Sequence, residues 1–357
     1  LKFSIKLMCS IILCLIPIIA KTNHAHALSA ESAILMEQES GRILFEKDAY
    51  SKKRIASITK IMTAIIAVES GKLDELVNIS ENAEGVEGSS LYLKAGTKVK
   101  LEDLVYGMML RSGNDAAVAI AEHVGGSLDG FCKLMNEKAK ELGMESTYFS
   151  NPHGLDDHEK HYSTAYDMAL LTRYAYNNPI YKKIAGTKEY KFSSKKYGDQ
   201  YWRNKNRLVT GMYQYSTGGK TGYTIRAKRT LVSTANKDGM DLIAVTLNDP
   251  HDWRDHISLF NNAFNNYEMV DIVTSQLSRE KKQPFTENLY VKESIRFPLT
   301  KAEKEQLRVD LNINVNEEHI DPHEPVGNFL IKIGKKEVKS VPVFMKYVPF
   351  DMNHYID

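Results

Sequence analysis

RIASITKIMTAIIAVESG, residues 54–71, places Ser57 and Lys60 at the opening of a helical run. Ile58, Ile61, Met62, Ile65, Ile66 and Val68 recur at helical spacing, and Gly71 stops them. Residues three apart on a helix share a face, so Ser57 and Lys60 face the same way. A serine hydroxyl is a weak nucleophile without a base, and a helix N-terminus favours developing negative charge. Lysine serves as that base when burial or a neighbouring cation depresses its pKa. Ser-x-x-Lys is a weak pattern by itself. Ser193-Ser-Lys-Lys196 repeats it in a polar stretch read as a loop, and a helix-capping serine is the ordinary reading of Ser57.

Two further elements change that reading. Ser112-Gly113-Asn114 lies between the helical runs EDLVYGMMLR and DAAVAIAEHV. There a serine can relay a proton, and an asparagine amide can position the lysine and bind a substrate carbonyl. A plain inter-helix turn is the alternative. Lys220-Thr221-Gly222 follows Gly218-Gly219 and directly precedes a strand-like segment. The lysine and threonine offer cationic and hydroxyl contacts to a carboxylate, and the glycine admits close backbone approach. A glycine-rich loop with a solvated lysine is the alternative. Each element is weak alone; the three in this order, at element ends, are a strong signal.

Around these motifs, residues 32–49 read as a hairpin turning at Glu39-Ser40-Gly41. Residues 101–124, 129–142 and 164–176 read as helices, with a polar loop, SNPHGLDDHEKHYS, before the last. Residues 228–236 and 240–248 form a second hairpin, and 254–267 a helix packing back on that sheet. After about residue 270 the helical spacing gives way to short β-rich pieces. The expected organisation is a signal peptide over 1–27, a catalytic domain over 28–268 and a β domain over 269–357. At 357 residues, with 43% hydrophobic and 26% charged residues, the chain has the composition of a soluble globular protein with ample core.

The first 27 residues carry Lys2 and Lys6, an apolar run from Leu7 to Ala20, and Ala25-His26-Ala27. This is the layout of a secretory signal peptide cleaved after Ala27, the run being short for a membrane span. Cleavage removes Lys2, Lys6 and Lys21 and no acid, which takes the formal net charge from +2 to −1. That near-neutral balance gives no reason to expect a nucleic-acid partner or an electrostatic membrane dock. Cys9 and Cys14 leave with the leader, so Cys132 remains without an internal disulfide partner and reads as a buried, inert thiol.

RIASITKIMTA, LRSGNDAAVAIAEHVGGS, NPHGLDD, YSTAYDMALL, NKNRLV and GGKTGYT together resemble the serine D-Ala-D-Ala carboxypeptidases, the low-molecular-mass penicillin-binding proteins of peptidase family S11. The likeness is closest to the sporulation-associated enzymes of spore-forming bacilli. It covers nearly all of the chain after the leader and weakens after about residue 270. The resemblance implies an α/β (α+β) fold: a β-lactamase/transpeptidase-like domain with an antiparallel sheet flanked by helices, and a small C-terminal β-sandwich-like domain. It implies an extracytoplasmic hydrolase of peptidoglycan stem peptides ending in D-Ala-D-Ala, acylated by β-lactams and needing no cofactor or metal. It also implies work in peptidoglycan maturation, extending to the spore cortex.

By the same resemblance Ser57 is acylated, Lys60 takes its proton, and Ser112 passes a proton to the leaving amine with help from Lys220. Asn114 binds substrate and positions Lys60, while the N–H groups of Ser57 and Tyr223 form the oxyanion hole. Thr221 and, as a candidate, Arg207 hold the terminal carboxylate, with Gly222 beside them; a solvated strand-end arginine is the alternative for Arg207. Arg254 is a weaker candidate, and His153 is expected to order its loop. The end of the sequence, VPFDMNHYID, has no amphipathic helical face of the kind that anchors many family members, which leaves membrane attachment open.

Three rival readings are weaker. A class A β-lactamase deacylates through a Glu-x-x-x-Asn loop, and no Glu in 115–219 is followed four residues later by Asn. A metallopeptidase is prompted by His153, His158 and His161, but there is no His-Glu-x-x-His. A non-catalytic penicillin sensor would not need the complete set Ser57, Lys60, Ser112, Asn114 and Lys220. An endopeptidase acting on D-Ala cross-links stays open.

Overall fold

The computed structural model describes residues 28–194, 197–273, 289–292, 294–313, 321 and 323–345. The leader with Cys9 and Cys14, Lys196 of the second Ser-x-x-Lys, and residues 348–357 lie outside the described residues.

SAILME alternates its side chains between two apolar layers and forms β1 (Ser32–Glu37), which turns into β2 (Ile43–Lys47). The turn Ala56–Thr59 leads into α1 (Lys60–Glu69), buried from Lys60 to Val68 because its residues are apolar apart from Lys60 and Thr63, whose polar atoms are hydrogen-bonded. Short strands β3 (Leu76–Asn78) and β4 (Lys98–Lys100) precede α2 (Leu101–Arg111), α3 (Asn114–Gly125) and α4 (Leu128–Glu141). Ser127 caps α4, Thr164 caps α5 (Ala165–Tyr176), and Asn178 with Pro179 opens α6 (Pro179–Gly186).

A hairpin, β5 (Glu189–Ser194) and β6 (Gly198–Arg203), comes next, so Ser193 stands in a strand and not in the expected loop. Tyr190, Phe192 and Trp202 share the hairpin's apolar face, with Trp202 the buried anchor. A turn at Leu208–Met212 leads to β7 (Ser216–Thr224), β8 (Lys228–Lys237), β9 (Met240–Leu247) and α7 (Asp252–Asn266).

The main sheet is antiparallel in the order β2-β1-β9-β8-β7, which leaves β7 on an edge. Ile34, Met36, Val232, Ile243, Val245 and Leu247 face the layer of α1 to α6. Leu35, Leu231, Ala235, Leu242 and Ala244 face α7. The inner strands β1 and β9 therefore carry an apolar residue at most positions, as a sheet covered on both faces requires.

The chain passes from α7 into β10 (Tyr267–Val273), so the expected boundary at 268/269 falls inside that strand. β10 pairs with β12 (Ile295–Thr300), and α8 (Lys301–Glu305) follows. β11 (Leu289–Tyr290), β13 (Leu307–Ile313), β14 (Gly327–Ile333) and β15 (Lys336–Met345) form a second sheet in the order β11-β15-β14-β13. One core joins both sheets, with Phe297 and Leu299 against Ile331, Val341 and Val343. This is the β-sandwich-like unit. Arg42, at the β1–β2 turn, reaches it by pairing with Glu303 and Pro298 O between the rings of Tyr267 and Phe297.

Candidate active site

Three elements converge beside the free edge of β7. The turn 56–59 supplies Ser57, the α2–α3 junction supplies Ser112 and Asn114, and β7 itself supplies Lys220 to Tyr223. Lys220-Thr221-Gly222 stands inside this strand and not ahead of it, because Thr230 to Ala235 of β8 pair with it throughout.

Ser57 is half-buried and Lys60 is fully buried. Lys60 Nζ lies 3.0 Å from Ser57 Oγ, 2.6 Å from Asn114 Oδ1 and 2.7 Å from His153 O. Burial, and then the charge of Lys220, hold the Lys60 amine well below the ordinary lysine range. A neutral amine has two N–H bonds and one lone pair. The amide and peptide carbonyls can only accept, so they take both N–H groups. The lone pair is left for the Ser57 O–H. Once protonated, the same nitrogen has a third N–H for Ser57 Oγ, so both states are satisfied.

Asn114 is oriented by its other amide atom, whose Nδ2 donates to Glu87 O at 2.6 Å, while its backbone N donates to Ser89 O. Ser112 closes α2 in the left-handed region at φ 67° and ψ 30°. Lys220 is buried and donates to Ser112 Oγ at 3.0 Å and Thr221 O at 2.8 Å. Burial and the charge of Lys205 push its amine down to about 7.

Gly222 packs against the nucleophile's turn. A methyl group there would collide with Thr230 Oγ1 and stand 2.9 Å from Ser57 N. Its bare face lets the nucleophile's turn pack on β7, and Thr230 Oγ1 donates to Ile55 O to hold that turn. Gly154 does the same on the other side, at φ 89°, where a methyl group would overlap Ala56 O.

Tyr223 is 62% exposed at the strand edge, and Thr221 is half-buried. Arg207 is exposed at the start of the turn 208–212, where its carbonyl accepts from Met212 N. Arg254 is not part of this cluster. It sits on α7, across the sheet from α1, 3.5 Å from Asp255. His153 lends its carbonyl to Lys60, and its Nδ1 accepts from Leu155 N within its own loop. Burial pushes that imidazole down to about 3.

Three contributors were not read from the sequence. His161 Nε2 meets Thr59 Oγ1, whose hydrogen goes to Ala56 O, so the imidazole is the donor there. Its Nδ1 accepts from Ser150 N, which fixes a neutral ring bracing the serine's turn. Asp115 is buried and accepts from Leu91 N, Leu93 N and Ser90 Oγ, folding the 87–93 loop over Asn114. Lys205 donates to Ser89 Oγ in that loop. Cys132 is half-buried, and burial pushes its thiol up to about 11.

A family profile described as D-alanyl-D-alanine carboxypeptidase, peptidase S11, matches residues 19–251. The chain belongs to this family. It is 33% identical over 340 residues to the D-alanyl-D-alanine carboxypeptidase DacF of Bacillus subtilis, covering 90% of this chain and 86% of that protein. It is 37% identical over 238 residues to DacC of Escherichia coli, covering 64% of this chain and 58% of that protein. Among solved structures, penicillin-binding protein 5 from Haemophilus influenzae superposes with a TM-score of 0.77 at 27% identity, over 89% of this chain and 97% of that one. The carboxypeptidase DacD from Francisella tularensis superposes at 0.70 with 32% identity, over 90% and 94%. The family assignment and the transpeptidase-like fold agree with the reading of the motifs.

Proposed function

We propose that this protein is a serine D-Ala-D-Ala carboxypeptidase that trims peptidoglycan stem peptides through an acyl-enzyme on Ser57. The observation that supports it most is the Lys60 nitrogen, held between two carbonyl acceptors with its lone pair directed to Ser57. Ser57 Oγ attacks the carbonyl of the penultimate D-Ala, and its proton moves to Lys60 Nζ. The N–H groups of Ser57 and Tyr223 receive the negative charge that forms on the carbonyl oxygen. As the C–N bond breaks, the departing D-Ala nitrogen takes a proton from Ser112, which Lys220 replenishes through their hydrogen bond. Before deacylation Lys60 gives its proton to solvent and Lys220 takes one back. Water then attacks the ester, and its proton passes to Lys60 and on to Ser57 Oγ as the C–O bond breaks.

Lys220 and Thr221 are the groups we assign to the substrate's terminal carboxylate, with Arg207 kept as a further candidate cation. The substrate lies outside the cytoplasmic membrane, in keeping with the leader read in residues 1–27. No helix among the described residues is long and apolar enough to cross a membrane. Acylation by β-lactams follows from the same geometry, since a lactam carbonyl meets the same nucleophile.

The test is release of D-Ala from a muramyl pentapeptide. Release at a steady rate, blocked by penicillin, supports the proposal. Rapid penicillin hydrolysis without D-Ala release supports a β-lactamase instead.

A further inference from the structure

Lys205 stands between Asn204 and Asn206, which are both buried, and is itself exposed. Its backbone N donates to Leu110 O at 3.0 Å, two residues before Ser112. Its Nζ donates to Ser89 Oγ at 2.9 Å, and Ser89 O accepts the backbone N–H of Asn114. The side chain therefore runs from the last turn of α2 to the loop bonded to Asn114, alongside the Ser112–Asn114 turn. The side-chain partners of Lys60, Lys205 and Lys220 are hydroxyl, amide and peptide oxygens, and none of the three is paired with a carboxylate among the described residues. Asp115 is the nearest acid by its influence on Lys60, and its oxygens are occupied by Leu91 N, Leu93 N and Ser90 Oγ. Lys60 at Asn114 Oδ1, Lys220 at Ser112 Oγ and Lys205 between Leu110 O and Ser89 Oγ thus all reach the Ser112–Asn114 turn or the backbone bonded to it, with no carboxylate paired to any of them.

Resting on the proposed role of Lys60 as base, we infer that Lys205 is a positioning residue for acylation, an ammonium fixed beside the Ser112–Asn114 turn that keeps Lys60 a free amine. Like charges cannot all be accommodated in one small volume, so the most exposed lysine keeps its proton and the two buried ones release theirs more readily. The charge of Lys205 is felt at both Lys60 and Lys220, which agrees with that placement. The other groups facing the cluster are Arg111 on α2, Asp115 on α3, and His153 and His161 in the 150–163 loop. Both histidines are held neutral by burial; part-burial and then the charge of Arg111 lower the Lys205 amine too, but burial acts on it less completely than on Lys60 and Lys220.

The experiment measures the acylation rate by a fluorescent penicillin from pH ~5 to ~9, with melting temperature and the KM for pentapeptide. Lys205→Gln should move the acid limb of the acylation profile upward by ~0.5–1 pH unit, slowing the reaction ~3- to 10-fold below the limb and little above it. Lys205→Arg should restore the wild-type limb. An unmoved limb overturns the inference, as does a raised KM with the limb in place, which would make Lys205 a direct substrate contact. If Lys205→Gln does not fold, Ser89→Ala unseats the ammonium and should move the limb the same way; an unmoved limb there also counts against the inference. Labelling of Ser57→Ala would instead overturn the underlying assignment of nucleophile and base, whatever the Lys205 variants do.

Discussion

Asn114→Asp replaces an amide by a carboxylate of nearly the same shape, 2.6 Å from Lys60 Nζ. In the native site that nitrogen faces two neutral carbonyls, and burial and Lys220 keep it deprotonated. An opposite charge within hydrogen-bond reach favours the ammonium by ~1–3 pKa units, or about 1.4–4 kcal/mol. Each unit removes ten-fold of the free amine below the limb. Acylation near neutral pH should therefore fall ~10- to 1000-fold, recovering ~ten-fold per pH unit as the pH rises. The change also ends the donation from Nδ2 to Glu87 O, which should cost about 1–3 kcal/mol of stability. Asn114→Ala separates the two effects, because it removes the acceptor without adding charge, so its losses should come without an upward shift of the limb. The assay is the acylation rate by a fluorescent penicillin across the pH range, with D-Ala release as a second readout and melting temperature as the check on folding. If the limb of the Asn114→Asp enzyme coincides with that of the wild type, or lies below it, Lys60 does not act as the free-amine base.

Ser112→Ala and Ser112→Gly should lose activity alike, since both remove the partner of Lys220. The glycine variant should be the more stable by about 1 kcal/mol because φ is 67° there, and urea melts that place alanine higher would refute this. Gly222→Ala should push β7 from Thr230 and Ser57 and slow acylation ~100-fold, the scale expected for a misplacement of ~1 Å. A near-normal rate with a normal melting temperature would show that this packing does not position the serine. Burial holds His153 at about 3, His161 at about 4 and His256 at about 3, all below the unfolded value of 6.5. The unfolded chain then binds more protons as the pH falls below 6.5, so stability should drop by up to ~1.4 kcal/mol per unit for each histidine until the folded values are reached. His256→Gln should reduce that slope by about a third in urea titrations, and an unchanged slope would contradict it.

Much of the architecture was legible because it is periodic. The 3.6-residue spacing from Ile58 to Val68 and the short apolar run in SAILME before Glu39-Ser40-Gly41 mark α1 and β1, and Lys237-Asp238-Gly239 marks the β8–β9 turn. β5 and β6 were not legible, because the short alternation of Tyr190 and Phe192 is followed by a largely polar run from Ser193 to Gln200, and only Trp202 on that face is buried. The three motifs were legible because local chemistry and order carry them. Their support was not. Asp115 acts on residues 22 to 25 positions away, His161 on Thr59 across 102 positions, and Lys205 on Ser89 across 116. Partners so far apart leave no pattern along the chain, and only folding brings them together. Gly222 illustrates the intermediate case. Its need for a bare face was legible, but which atoms fill the space beside it was set by the packing of β7 on the serine's turn.

Everything in this account turns on Ser57. The most direct measurement is mass spectrometry of the protein after reaction with a penicillin, with proteolysis to locate the adduct. One penicilloyl group is expected, on the peptide that contains Ser57, and neither adduct nor D-Ala release for a folded Ser57→Ala. An adduct on any other residue, or D-Ala release by Ser57→Ala at the wild-type rate, would contradict it.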